Sequence, residues 1–169
     1  MGTRVRTMSE QDDRREALET YLNDHLAGAT GGLELARRLA DRYRDGEAGA
    51  FLDQLAREVE QDRDALKDAM ERLDMPENKI KQAMAWAGEK VSRLKPNDTF
   101  LSPSRLSRLI ELEAMALGVE GKLSLWRSLE SAGVSSGLDL PLLIERAIAQ
   151  REGLERHRRD AASAALGEP

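Results

Sequence analysis

The chain has 169 residues, of which 34% are charged, 40% hydrophobic and 4% aromatic. This length suits one domain with its own hydrophobic core, and the shortage of β-branched and aromatic residues argues against a β fold. The absence of cysteine excludes disulfides and thiolate chemistry, and the net charge of -5 argues against nonspecific nucleic-acid binding. No signal-peptide core or membrane-length apolar run is found, so we predict a cytoplasmic protein without nucleic-acid or membrane partners.

The first half of the chain predicts a tail and two long helices. Residues 1–13 have no usable apolar period and are predicted to be a disordered tail, with folding beginning near Arg14. Apolar residues at spacings of three and four then predict one helix over 18–43 and another over 47–74. Gly46 ends the first of these helices, and Pro76 marks the break after the second.

The second half predicts one short helix and two long ones. Residues 77–94 form a short amphipathic pattern, and 95–101 are predicted to be a loop. Ser102 is the predicted N-cap of a helix that ends near Ala132, with Pro103 in its first turn. After a glycine- and serine-rich turn, Asp139 is predicted to cap a last helix that ends near Ala165, with 166–169 frayed.

These elements predict an all-α fold, a four-helix bundle with one additional short helix between the two helix pairs. The bundle forms a single domain over residues 14–165. Gly28, Gly31 and Gly32 lie inside the first helix, where each costs about 1 kcal/mol relative to alanine. We therefore expect a packing reason for them, namely a close helix crossing.

Ionisable residues interrupt the predicted inner face of all four long helices. Placing each residue at about 100° per position gives this set of candidate inner residues: His25, Asp62, Glu113, Glu120, Arg127, Arg151 and Arg158. Burying a lone charge costs several kcal/mol, and the set holds three carboxylates and three arginines. We predict that they pair in a buried charge network. Two alternatives stay open, namely that these side chains reach solvent at the bundle ends, or that they form a metal or ligand site.

Three segments carry a resemblance to a known group of proteins. They are residues 21–26 (YLNDHL), residues 55–73 (LAREVEQDRDALKDAMERL) and the short helix that precedes the second helix pair. With these segments the chain resembles the ferritin-like superfamily and is most similar to the bacterial YciF-type ferritin-like proteins. The resemblance covers most of the chain and implies a ferritin-like bundle.

The resemblance also implies a carboxylate-bridged di-iron centre inside the bundle, but the ligand set is incomplete. Ala29 or Thr30 lies where the first-helix glutamate would fall, and Gln61 replaces the histidine of the second helix. Arg151 places a positive charge where the last helix would supply its Glu-x-x-His motif. A guanidinium there opposes metal binding, so the expected bundle holds salt bridges in place of the di-metal site.

The leading hypothesis is a non-catalytic bundle without a cofactor that acts as a homo-oligomer, such as a dimer, or through a protein partner. The alternative is an iron-, manganese- or zinc-binding stress-response protein or carboxylate-metal oxidase, with these ligands: His25, Glu58, Glu113 and Glu120. A third hypothesis places a small-ligand or lipid pocket among the small residues of the first helix.

Overall fold

The computed structural model describes residues 8–77 and 104–167. These residues form four α-helices: α1 (Met8–Arg42), α2 (Gly49–Arg72), α3 (Arg105–Ala132) and α4 (Leu140–Leu166). No strand occurs within the described ranges, so the all-α prediction with four long helices is confirmed. The predicted short helix, apart from Glu77, and the predicted loop over 95–101 lie outside the described residues.

Helix boundaries follow local capping chemistry. Asp139 caps α4 as predicted, since its side chain accepts a hydrogen bond from the Leu142 amide at 3.2 Å. The N-cap of α3 is Ser104, two residues after the predicted Ser102, and its hydroxyl accepts from the Ser107 amide at 3.0 Å. At the other end α3 stops at Gly133, whose φ of 69° is the left-handed conformation that glycine adopts without strain.

The α1 helix is longer at its N-terminus than the sequence predicts. It begins at Met8, so residues 8–13, which were predicted to belong to the disordered tail, are helical. Residues 9–13 are exposed, which explains why this segment shows no apolar period. Helical propensity and continuity with the packed part of α1 suffice to extend the helix.

The four helices pack with α1 along α2, α3 along α4, and α1 also against α3. Their apolar faces form two clusters of buried residues. One contains Leu39, Leu52 and Leu112, and the other contains Leu66 and Trp126. Each fully buried side chain of this size contributes about 1.5–3 kcal/mol, so the two clusters supply the main driving force for folding.

The three glycines of α1 do not mark a close helix crossing, which corrects the prediction. A Cβ atom built on Gly28, Gly31 or Gly32 meets no atom within 4 Å. Helix α1 passes α3 at this level with open space between the two, so no neighbouring backbone requires a glycine. The helix-propensity cost of these residues is therefore not offset by tighter packing.

Gly31→Ala should raise the free energy of unfolding by about 0.5–1 kcal/mol, because alanine favours the helix and its methyl group meets no atom. Chemical denaturation measures this change. Gly49→Ala is the contrasting variant: its Cβ would lie 2.1 Å from the backbone oxygen of Arg44, so we expect a loss of stability. If Gly31→Ala also destabilised the protein, α1 would have a close neighbour at this point.

Candidate functional site

A buried ion-pair group lies between α2, α3 and α4. The Asp62 side chain is only 1% exposed. Its Oδ2 accepts a hydrogen bond from the Lys122 Nζ at 2.5 Å, and its Oδ1 accepts one from the Arg146 Nη1 at 2.8 Å. A carboxylate removed from water in this way needs cationic donors, and Asp62 has two.

The network continues through two amide side chains toward the surface. Buried Gln150 accepts from the Lys122 Nζ at 2.5 Å and donates through Nε2 to the Glu58 carboxylate at 2.8 Å. Gln54 donates to the other oxygen of Glu58 at 2.7 Å. Gln54, Glu58 and Asp62 recur every four residues on one face of α2, so a single helix face presents both carboxylates and the amide that donates to Glu58. We call these three residues, together with Lys122, Arg146 and Gln150, the inner polar network.

The inner polar network balances two carboxylates against two cations. Burial lowers the pKa of Lys122 from its ordinary value, and the nearby carboxylates of Asp62 and Glu58 oppose that shift. Both polar atoms of the Gln150 side chain are used, one by Lys122 and one by Glu58. The geometry is that of a satisfied structural network linking three helices.

Only Asp62 of the seven predicted network residues belongs to the inner polar network. Glu120 and Arg151 do pair across α3 and α4, at 3.2 Å, but their side chains are 49% and 44% exposed. Arg158 lies 3.7 Å from Glu113 at the same surface, and Arg127 is exposed. The prediction that these five residues are buried is corrected, because the helix face that carries them points to solvent.

His25 lies apart from the ion pairs, on α1. It is half-buried, and its ring meets the Tyr21 ring edge to face with centroids 4.6 Å apart. Burial lowers the pKa of His25, while the neighbouring Asp24 carboxylate raises it. The imidazole is therefore neutral at pH 7, and its role in the structure is a ring contact rather than a charge in the network.

The four candidate metal ligands are not brought together. Glu58 is held by two amides, while Glu113 and Glu120 each face an arginine and His25 packs on Tyr21. Across residues 8–77 and 104–167, no three His, Asp or Glu side chains are grouped so as to hold a metal ion. The Asp62 carboxylate is already bound by an ammonium and a guanidinium. These residues do not fit a carboxylate-bridged metal centre.

A cavity of about 200 Å³ opens between α1, α2 and α3. Gly28 and Gly32 form one wall and Gly118 and Gly121 the facing wall, with Trp126 among the apolar residues that complete the lining. Asp62 and Lys122 also border this cavity, so one side of it adjoins the inner polar network.

A row of exposed residues follows α3 on the side away from the cores. It runs at alternating spacings of four and three along Leu106, Ile110, Glu113, Leu117 and Glu120. Their apolar spacing alone would place Leu106 and Leu117 on the core-facing side of the helix, but in the structure they are 43% and 75% exposed. Apolar residues occupy more than one face of α3, and the face containing buried Leu112 and Trp126 is the one that meets the other helices. We call the exposed row the α3 stripe.

The comparisons with known proteins leave the family of the chain open. No protein-family model, curated protein or solved structure matches it. Among the described helices, none combines the length and apolar character needed to cross a bilayer.

Proposed function

We propose that this protein is a non-catalytic helical bundle that acts through association with a second copy of itself along the α3 stripe. The observation that carries the proposal is Leu117, which is 75% exposed in the middle of α3. With Leu106 and Ile110 it forms an apolar row on a helix whose other faces are packed. Exposed apolar residues grouped in this way are typical of association surfaces.

The spacing of the α3 stripe suits a second copy of the same helix. Alternating steps of three and four residues are the pattern by which two helices interlock. An antiparallel pair with its twofold axis near Glu111 sets Leu106 of each copy opposite Leu117 of the other. Such a contact is isologous, so one exposed row provides both halves of the interface.

Acidic and basic side chains lie together at the α3 stripe, so this surface is electrostatically complementary to the same surface of a second copy. Glu113 and Glu120 lie within the row, and their partners Arg158 and Arg151 border it from α4. A twofold contact brings acidic and basic side chains of one copy to those of the other, which favours a defined orientation. Because the apolar row is narrow, the dimer belongs to the weak, concentration-dependent class.

The ferritin-like resemblance concerns the interior of the bundle. The inner polar network lies among the helices, where a ferritin-like protein would hold metal ligands. Lys122 and Arg146 provide the positive charge that a metal would otherwise bring to Asp62. We infer that the network replaces a metal centre, and that the protein works as a binding partner and not as a metal-dependent oxidase.

Size-exclusion chromatography with light scattering over a concentration series tests the association. The expected result is a mass that rises from monomer toward dimer, and Leu117→Ser should shift the rise to higher concentration. Leu142→Ser is the matched control, since Leu142 is 48% exposed but lies on α4 beside α2. A monomer at every concentration, or equal effects of the two substitutions, would contradict the proposal.

A further inference from the structure

We propose that the dimer formed along the α3 stripe takes up protons at Glu113, so that the association strengthens as the pH falls; this inference rests on the association proposed above. Self-association would then respond to acidity through one residue. The support comes from the position of Glu113 within the stripe, from the geometry of its nearest cation and from the register of the two copies.

Glu113 lies at the centre of the α3 stripe. Along the helix it falls between Ile110 and Leu117, and the spacing of three and four residues puts it on the same side of α3 as both. Its side chain is 47% exposed in the single chain and is therefore in contact with water. A second copy that covers the apolar residues of the stripe covers this carboxylate as well.

The Glu113 carboxylate has a cation nearby but no hydrogen bond from it. The Arg158 Nη1 lies 3.7 Å from the Glu113 Oε1, which is longer than a hydrogen bond. The Nε and Nη2 of the same guanidinium donate to Glu155 at 2.7 Å and 3.0 Å. Glu120, by contrast, accepts a hydrogen bond from Arg151 at 3.2 Å. Of the two acidic residues in the stripe, Glu113 therefore has the less compensated charge.

The antiparallel register places Glu113 in the contact itself. The twofold axis near Glu111 that sets Leu106 opposite Leu117 also sets Ile110 of each copy opposite Glu113 of the other. The two Glu113 residues then lie about 4.5 Å apart along the helix axis, since each residue of an α-helix rises about 1.5 Å. Each carboxylate faces an apolar side chain and has a second carboxylate beside it.

This environment fixes the sign of the pH response. Loss of water and a neighbouring like charge both disfavour the ionised form of a carboxyl group. The dimer therefore binds more protons than two separate chains do, and by linkage its affinity increases as the pH decreases. The response ends near the ordinary glutamate pKa of about 4.3, because below it the carboxyl group of the single chain is protonated as well.

The charged groups on the neighbouring helices keep their charge over this range. On α4, hydrogen bonds from Arg158 and Arg159 lower the pKa of Glu155 to about 2, so Glu155 stays ionised and continues to hold Arg158. On α1, Arg42 pairs with Glu111 at 2.6 Å. Arginine does not lose its proton in proteins. The proton uptake is thus assigned to the central carboxylate of the stripe.

The test measures the dimer dissociation constant of the full chain by sedimentation equilibrium at about pH 7.5 and about pH 5.5, at constant ionic strength. We expect at least about tenfold tighter association at the lower pH. Glu113→Gln is neutral at both values and has nearly the same shape. It should tighten the dimer by about tenfold at the higher pH and remove the pH response. Circular dichroism at both values checks that the helix content is equal.

Glu120→Gln is the matched control. Glu120 is 49% exposed on the same stripe, but the register places it beyond the start of α3 in the other copy, so this variant should keep the pH response. Equal effects of the two substitutions, a weaker dimer in Glu113→Gln, or a pH response that persists in that variant through a histidine such as His157 would overturn the inference. A wild-type dimer of equal affinity at both pH values would overturn this inference alone. A monomer under every condition would overturn the association as well.

Discussion

Asp62→Ala should lower the free energy of unfolding by about 3–5 kcal/mol, because it leaves buried cations without their carboxylate. The Lys122 side chain is only 13% exposed and keeps just the Gln150 oxygen as acceptor. Arg146 is 23% exposed and can turn partly toward water. Urea denaturation followed by circular dichroism measures the loss, and an unchanged slope would show that the variant still folds cooperatively.

The pH dependence of the Asp62→Ala variant has a defined sign. Burial already lowers the pKa of Lys122 below its ordinary value of 10.5, and removal of Asp62 takes away the charge that opposes this shift. The unfolded chain then binds the lysine proton more tightly than the folded one does. Stability of the variant should therefore rise as the pH increases toward 10.5 and fall as the pH decreases.

The surface ion pair provides the control for this prediction. Glu120→Leu and Arg151→Met remove a pair of similar chemistry whose side chains are both more than two-fifths exposed. Exposed pairs contribute about 0–1 kcal/mol, so both variants should unfold close to the wild type. A large loss in either of them would mean that the α3 stripe is covered in the folded state.

A double variant separates pairing from burial. Asp62→Leu combined with Lys122→Met removes both charges and should cost less than the sum of the two single changes, since no buried charge is left alone. Additive losses would show that the two groups are not coupled. A near-neutral Asp62→Ala would contradict the prediction, because it would show that water reaches the carboxylate and that no buried charge is left alone.

The sequence alone predicts the helices well because their apolar spacing is regular over many turns. It also places Asp62 on the inner face, because this carboxylate lies between Val59 and Leu66 on an apolar side of the helix. It does not identify Lys122 or Arg146 as the partners of Asp62. Lysine and arginine side chains are long and can reach inward from the edge of a helix face. The position of the residue on the helix therefore does not predict where its charged group lies.

The mistaken burial of Glu120 and Arg151 has a related cause. Residues seven apart stay on one side of a helix, and the sequence does not show whether that side meets another helix or water. Two repeats of polar residues in the sequence point to the network that the structure shows. Gln54, Glu58 and Asp62 recur every four residues on α2, and Arg146 and Gln150 do so on α4. Matching such rows between helices requires knowing which helices are neighbours, and only the structure supplies that.

Leu123→Ala should cost about 2–5 kcal/mol, whereas Leu117→Ala should change stability by less than about 0.5 kcal/mol. Both leucines lie on α3, and the apolar spacing assigns both to the core. In the structure Leu123 is 0% exposed and packs in the cluster with Trp126, while Leu117 is 75% exposed. The two Leu→Ala substitutions should therefore differ in their cost to stability because only the face of α3 that contains Leu123 packs against the rest of the bundle.

Chemical denaturation of both variants at a low protein concentration, where the monomer prevails, measures the difference. Under these conditions the association proposed for the α3 stripe adds nothing to the stability of the wild type. Repeating the measurement at high concentration should then make Leu117→Ala cost more, because dimerisation stabilises the wild type and not the variant. Equal losses for the two leucines at low concentration would mean that α3 buries both faces within one chain, and the α3 stripe would not be available to a second copy.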